Sequence, residues 1–338
     1  MNARRISIDV KYDNQTITAV INPFITDIAY SDNFIGQVDD ISISLGDREK
    51  KWMNEWSPKN GASLEASLLI SDGWGSTKSS RRNLGYFEID DISTSGPPNK
   101  VTVKGISIPQ SSTLRGQPKS RSWENTNFKK VANDIAKWNG MKLYFSGLEN
   151  PTYDRISQDN ESDVKFLVRI CNEAGFALKI ANKTLYLFDE VKFEGEPAVD
   201  TISRTDFRLK DYGGKDTLSN IYKACTVVYT HPKSKKTVRY TYTPPKPPKT
   251  NRILVVNEEV SSQAAALTLA KKRLREANKS AVTFSIKLAG FANYYAGQTI
   301  NLKDFGTFNG KYIITSVRGS VGNNSETSLE LRRCLEGY

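Results

Sequence analysis

Gly85-Tyr-Phe-Glu-Ile-Asp-Asp-Ile92 opens on a glycine and runs on through strand-forming residues, and Gly310-Lys-Tyr-Ile-Ile-Thr-Ser-Val317 has the same form. The neighbours of the two octapeptides match in order. Ile41-Ser-Ile-Ser-Leu45, Gly61-Ala-Ser-Leu64 and Val101-Thr-Val103 surround the first; Phe284-Ser-Ile-Lys-Leu288, Gly297-Gln-Thr-Ile300 and Leu329-Glu-Leu331 surround the second. Each glycine has a mechanical reason. Gly61 and Gly297 admit a turn into a strand, and Gly85 and Gly310 permit a backbone excursion that a side chain would resist. The pattern predicts one β unit written twice, the product of an internal duplication.

Working outward, Ile6, Ile8, Val10 and Tyr12 alternate with polar residues. Asp13-Asn14 supplies a turn, so residues 16–21 are expected to return as the second strand of a hairpin. Strands are also expected at 41–45, 64–70, 86–92 and 101–106, with a short helix over 47–56 capped by Asp47 and stopped by Pro58. Such short strands, separated by Gly, Pro, Asn and Ser, favour a barrel or sandwich. The period then changes. Phe128, Val131, Ile135 and Trp138 recur at helical spacing before Asn139-Gly140, a turn-rich stretch covers 146–154, and Val164, Leu167, Cys171 and Ala174 share a second helix face that Gly175 ends. Residues 178–180 and 185–188 read as a hairpin around Asn182-Lys183. Strands resume at 224–230 and 237–243, joined by His231-Pro-Lys-Ser-Lys-Lys236. The four prolines of 243–250 exclude a central strand. Ser261 or Ser262 can cap a helix running to about 278, expected to pack on a barrel, and strands follow at 282–288, 299–302, 312–317 and 327–332. The predicted class is mainly β (α+β): two tube-like β-barrel domains related by internal duplication, at 1–115 and 196–338, with a small α+β domain at 116–195 between them.

Gln158-Asp-Asn-Glu-Ser-Asp163, followed by Phe166-Leu167, Arg169-Ile170, Glu173 and Gly175-Phe176, is the most specific stretch. Trp56-Ser-Pro-Lys-Asn-Gly61, Ser95-Gly-Pro-Pro98, Ala296-Gly-Gln298 and Gly310-Lys-Tyr312 accompany it. On these residues the chain, from about 5 to 335, resembles the phage late-control D or contractile-tail baseplate hub family, which is related to the hub portion of the type VI secretion spike protein. The resemblance implies a homotrimer whose three pairs of barrels match a sixfold tail tube and hold a threefold central spike. It further implies tube, spike, baseplate wedge and tape-measure proteins as partners, with nucleic acid only as passing cargo. Gln158, Glu161, Ser162, Asp163, Phe166, Leu167 and Gly175, with Gly85, Gly297 and Gly310, then have structural roles. In particular, carboxylates in the first helical turn offset the dipole and cap free amides.

Composition narrows the chemistry. The chain of 338 residues is long enough for two or three cores, and its net charge of +11 suits nucleic acid, anionic envelope polymers or acidic proteins. Arg4-Arg5 precedes an alternating strand rather than an apolar run, so no signal peptide is read, and no stretch approaches the ~20 apolar residues of a membrane span. Stable membrane insertion is therefore not expected. Cys171, Cys225 and Cys334 fit reduced thiols, and with the resemblance point to a virion or tail-particle baseplate assembled in a bacterial host cytoplasm. No catalytic, cofactor or metal site is expected. The single histidine, His231, lies in a turn, and no common zinc, acyl-transfer or phosphate-loop pattern occurs. The pairs Asp39-Asp40, Asp90-Asp91 and Glu258-Glu259 are adjacent on strands or turns, so they diverge and read as solvated. Lys233, Lys235, Lys236, Arg239, Lys246, Lys249 and Arg252 cluster with no acid among them. The first six are candidate interaction residues. With Tyr229, Tyr240 and Tyr242 they keep a nucleic-acid-binding β-barrel protein open as an alternative, beside a cell-wall hydrolase component.

Overall fold

The strand Arg5–Tyr12 does alternate as its sequence requires, burying Ile8 and Val10, but its partner is not the segment that follows it. All eight of its residues pair antiparallel with Ser63–Ser71, while the expected return strand stops after Gln15–Thr16 and becomes the helical turn Thr18–Ile21. A side chain decides this. The Thr18 hydroxyl accepts a hydrogen bond from the Val10 amide at 2.9 Å and donates one to Asp9 Oδ1 at 2.6 Å, folding the chain back before a second strand can extend. The computed structural model describes residues 5–71, 79–108, 113–146, 149–230, 236–260, 262–322 and 325–338.

Two compact units divide the chain: Met1–Glu190 with Lys287–Ala296 and Ser316–Leu329, and Val191–Ile286 with Gly297–Thr315 and Glu330–Tyr338. In the first, antiparallel strands run in the order Ile25–Asn33, Asp40–Gly46, Lys100–Ile106, Ser79–Ser95, Ser63–Ser71, Arg5–Tyr12. Residues 316–322 of Gly310–Gly322 pair along the outer side of Ile25–Asn33. Residues 47–56 form turns rather than the expected helix. The Asp47 carboxylate accepts from the amides of Trp52 and Met53, both at 3.0 Å, too far along the chain for a helix cap. Phe24, Trp52 and Trp56 meet edge to face there.

The same unit carries an α+β layer. Helix Phe128–Trp138 is capped by Asn127, and helix Asp163–Ala174 starts at Ser162 and ends at Gly175, whose φ of +74° is the left-handed conformation that glycine adopts without strain. Both pack on a sheet in which Thr184–Phe188 lies between Ala177–Ala181 and Lys142–Ser146. Lys119–Asn127 and Thr152–Glu161 form a separate ribbon. The second of these strands begins inside the stretch expected to be turns, because its polar sequence carries little apolar alternation: of its residues only Ile156, Gln158 and Glu161 are buried.

In the second unit the order is Leu209–Asp216, Val282–Ala289, Glu326–Arg333, Gly310–Gly322, Thr299–Lys303, Asp200–Ser203, with some residues of the second, third and fourth strands counted in the first unit. A separate sheet places Ala224–Thr230 between Thr237–Tyr242 and Ile253–Val256. Helix Gln263–Asn278, capped by the Ser262 hydroxyl, buries Ala266, Ala270 and Leu274 on this three-stranded sheet, not on a barrel. The capping alternative Ser261 lies outside the described residues.

The duplication is visible hydrogen bond by hydrogen bond. The Gly61 amide donates to Ile89 O and the Ile89 amide to Ala62 O, at 2.8 and 2.9 Å; Gly297 donates to Ile314 O and Ile314 to Gln298 O, both at 2.8 Å. The paired strands keep the same register: Leu64 opposite Phe87 and Ala66 opposite Gly85 in one copy, Ile300 opposite Tyr312 and Leu302 opposite Gly310 in the other. Strand order also agrees, since Asp40–Gly46, Lys100–Ile106, Ser79–Ser95, Ser63–Ser71 correspond to Val282–Ala289, Glu326–Arg333, Gly310–Gly322, Thr299–Lys303. Among the described residues neither copy closes. The first and last strands of each run have other neighbours or none, so the sheets of the two tube-like barrels expected of the chain are not closed within it.

The four glycines make this testable. Gly61 and Gly297 sit at φ +83° and +91°, Gly85 and Gly310 at +122° and +138°, conformations that cost a side chain about 1–3 kcal/mol. Gly310→Ala, whose new Cβ would have no atom nearer than 3.9 Å, isolates that backbone term and is expected to lower unfolding free energy in urea by this amount. A neutral result contradicts the assigned backbone.

Candidate functional site

The resemblance motif converges on one buried carboxylate. Asp163 is fully buried at the first position of its helix, and four donors surround it. Lys119 Nζ lies 2.5 Å and Asn139 Nδ2 3.0 Å from Oδ2, and Arg121 Nη2 and Gln158 Nε2 each lie 3.0 Å from Oδ1. Lys119 and Arg121 reach the same side because they are two apart on a strand. Gln158 also donates to Glu161 O at 2.8 Å, which ties the bulged strand to the helix start. Burial alone pushes the Asp163 carboxyl up; hydrogen bonds from Lys119, Asn139 and Gln158 and the Arg121 charge outweigh it, and the group ends below its ordinary value.

The rest of the motif packs outward from this point. Ser162 Oγ caps Lys165 N, and Arg169 closes on Glu161 at 2.7 Å, on Glu173 at 3.3 Å and on the Ser157 carbonyl. Phe166 stacks on Trp123 with rings 5.4 Å apart and nearly parallel, and Leu167 is fully buried. Thus Gln158, Glu161, Ser162, Asp163, Phe166, Leu167 and Gly175 are brought together around one helix. Sequence reasoning missed Lys119, Arg121 and Asn139, whose one signal was two cations at strand spacing.

Two further buried ion clusters were not foreseen. Within the first unit Lys179 Nζ lies 2.6 Å from Asp32 and 3.2 Å from Asp39, while Arg82, 1% exposed, is 3.4 Å from Asp32 and donates to the Tyr294 carbonyl. Asp39, read from sequence as solvated, is buried because it also accepts the Asn33 amide at 2.7 Å. Burial raises its pKa to about 6 against the opposing pull of Lys179. Within the second unit Glu194 accepts from both Arg275 and Arg332 and from the Leu335 amide. Such clusters orient elements; their charges are consumed internally.

The candidate basic surface is elsewhere. Lys236, Arg239, Lys246 and Lys249 are exposed, whereas Lys233 and Lys235, with His231, lie outside the described residues. Tyr229, Tyr240 and Tyr242 turn into the core under helix Gln263–Asn278, away from solvent-facing Arg239. Asp90 is exposed, Asp91 pairs with Lys104, and Glu258 with Arg273.

The chain is thus a duplicated, mainly β scaffold in which the motif residues pack around one buried carboxylate. The model of the phage tail baseplate hub (GPD) family matches residues 108–325, more than half of the chain, and the chain belongs to that family. The probable baseplate hub protein of Escherichia phage 186 is 26% identical over 270 residues, covering 77% of this chain and 65% of that protein, so the chain spans slightly less than two thirds of this relative. A tail protein from Neisseria meningitidis shares the fold at a TM-score of 0.72 and 14% identity over 97% of this chain and 96% of that one. An Escherichia coli component of the type VI secretion system does so at 0.57 and 11%, over 99% and 78%.

Removing one partner of a buried ion pair costs about 3–5 kcal/mol, so Asp163→Ala is expected to destabilise by that much in urea unfolding. Leu167→Ala should cost about 2–5 kcal/mol by leaving a cavity. The two carboxyls run oppositely with pH. The lowered Asp163 contributes stability above the unfolded value of 3.8 and loses it as pH falls through its folded value. The raised Asp39 is penalised above about 6, and the penalty is relieved as pH falls toward 3.8. Asp39→Asn should therefore gain stability relative to wild type as pH rises from 4 to 8, measured by unfolding across that range; a flat difference contradicts the assignment.

Proposed function

We propose that the chain is a non-enzymatic baseplate hub of a contractile phage tail or tail-like particle, a trimeric adaptor between a sixfold tail tube and a threefold central spike. The observation that carries this reading is the matched register of the two copies: a chain holding one β unit twice presents six such units when three chains assemble. Residues 1–115 and 196–338 would each supply one tube-like element, with 116–195 as a spacer, and the open strand orders would be completed by neighbouring subunits. The proposed partners are tail tube, spike, wedge and tape-measure proteins, met at the baseplate of a particle assembled in the host cytoplasm. Membership of the hub family supports these assignments.

Light scattering tests the reading. The purified chain, alone and mixed with its tube and spike proteins, is expected to give a trimer or a complex containing three copies; a strict monomer that binds neither partner sinks it. A cell-wall zymogram of the same sample should stay blank, and wall cleavage lost on joint substitution of Asp90 and Asp91 would overturn the non-enzymatic assignment.

A further inference from the structure

The three-stranded sheet Thr237–Tyr242, Ala224–Thr230, Ile253–Val256 has two unlike faces. One carries Cys225, Val227, Tyr240, Leu254 and Val256 onto the helix Gln263–Asn278. By register, the other carries Val228 opposite Arg239 and Thr226 between Thr241 and Val255, with Ile253 one pair further along. Ile253 and Val255 are 51% and 59% exposed on a strand that forms one edge of the sheet. That strand has no outer neighbour among the described residues, and two exposed β-branched residues on such an edge are a template for another strand.

The charge around this edge is one-sided. The loop of residues 243–252 carries Lys246, Lys249 and Arg252 and no Asp or Glu, and it leads directly into Ile253. Lys246 meets Glu336 at 3.0 Å, but with both side chains about four-fifths exposed this pair is solvent-screened and weak. The acids that follow the strand are engaged on the helix side: Glu258 pairs with Arg273 at 2.6 Å, and Glu259 hydrogen-bonds the Tyr229 hydroxyl.

The geometry points to this edge as a docking site for an acidic, extended protein segment, which adds as a fourth strand beside Ile253–Val256. Its apolar side chains would cover Ile253 and Val255 while its carboxylates meet the cations of the preceding loop. Protein is favoured over nucleic acid because base stacking needs exposed aromatic faces. The three tyrosines of this hairpin are spent on the helix, leaving the exposed Ile253, Val255, Thr241 and Arg239 and, among the described residues, no aromatic side chain on the other face. The inference stands on this sheet's own surface and holds whether or not the chain is a hub.

The test uses the full chain and three fluorescent probes followed by polarisation: an octapeptide of alternating Val and Glu, one of alternating Val and Lys, and an oligothymidylate of about twelve nucleotides. The Val–Glu peptide is expected to bind at least about tenfold tighter than the Val–Lys peptide, a difference of about 1.4 kcal/mol. Val255→Glu should remove that binding with no change in the thermal midpoint, and the uncharged Val255→Thr should weaken it several-fold. Equal affinity for the two peptides, no peptide binding, or tighter oligonucleotide binding indifferent to Val255→Glu would each overturn the proposal, the last in favour of a nucleic-acid surface.

Discussion

Two isoleucines hold this architecture in register. Ile89 and Ile314 each exchange both backbone hydrogen bonds with a Gly-X pair, Gly61-Ala62 in one copy and Gly297-Gln298 in the other. Because strand side chains alternate, a slip of one residue would turn every buried side chain to solvent. The double bond forbids that slip. It sets Leu64 against Phe87 and Ile300 against Tyr312, all buried, and it places Gly85 at a register shift within its strand pair and Gly310 at the end of its own, where the backbone adopts a conformation closed to other residues without strain.

Buried charge supplies the remaining specificity. A chain with 38% hydrophobic residues builds modest cores, and three carboxylates inside them act as fixed points: Asp163 and Asp32 within the first unit, Glu194 within the second. Each takes at least two cations: those on Asp32 and Glu194 come from different elements, and the Lys119 and Arg121 that meet Asp163 share one strand. Hydrophobic contacts tolerate sliding, whereas an ion cluster of this kind is satisfied at one geometry.

How much of this was legible follows from which forces are local. Period and stop signals are local, and they located both middle helices, the Asn139-Gly140 and Gly175 stops, and the glycine pairs of the duplication. Partner choice is not local: Arg5–Tyr12 pairs with Ser63–Ser71 because Thr18 reaches back to Asp9, and no alternation pattern contains that bond. Thr152–Glu161 was invisible because a ribbon with few buried residues has little hydrophobic signature. The Asp163 motif was recognised as a string, but its meaning lay in Lys119, Arg121 and Asn139, which chain folding alone brings to it. Asp39 was misjudged for the same reason, since its burial depends on Lys179 from another sheet.

The central claim is that one chain supplies two equivalent β units to a sixfold ring. A density map of the particle's tail end, obtained by electron cryomicroscopy, tests it most directly. The account predicts three copies of the chain at the base of the tube, with residues 1–115 and 196–338 alternating around a single sixfold ring and 116–195 lying outside the alternation. A copy number other than three, or the two repeats at different levels along the tail axis, would contradict it.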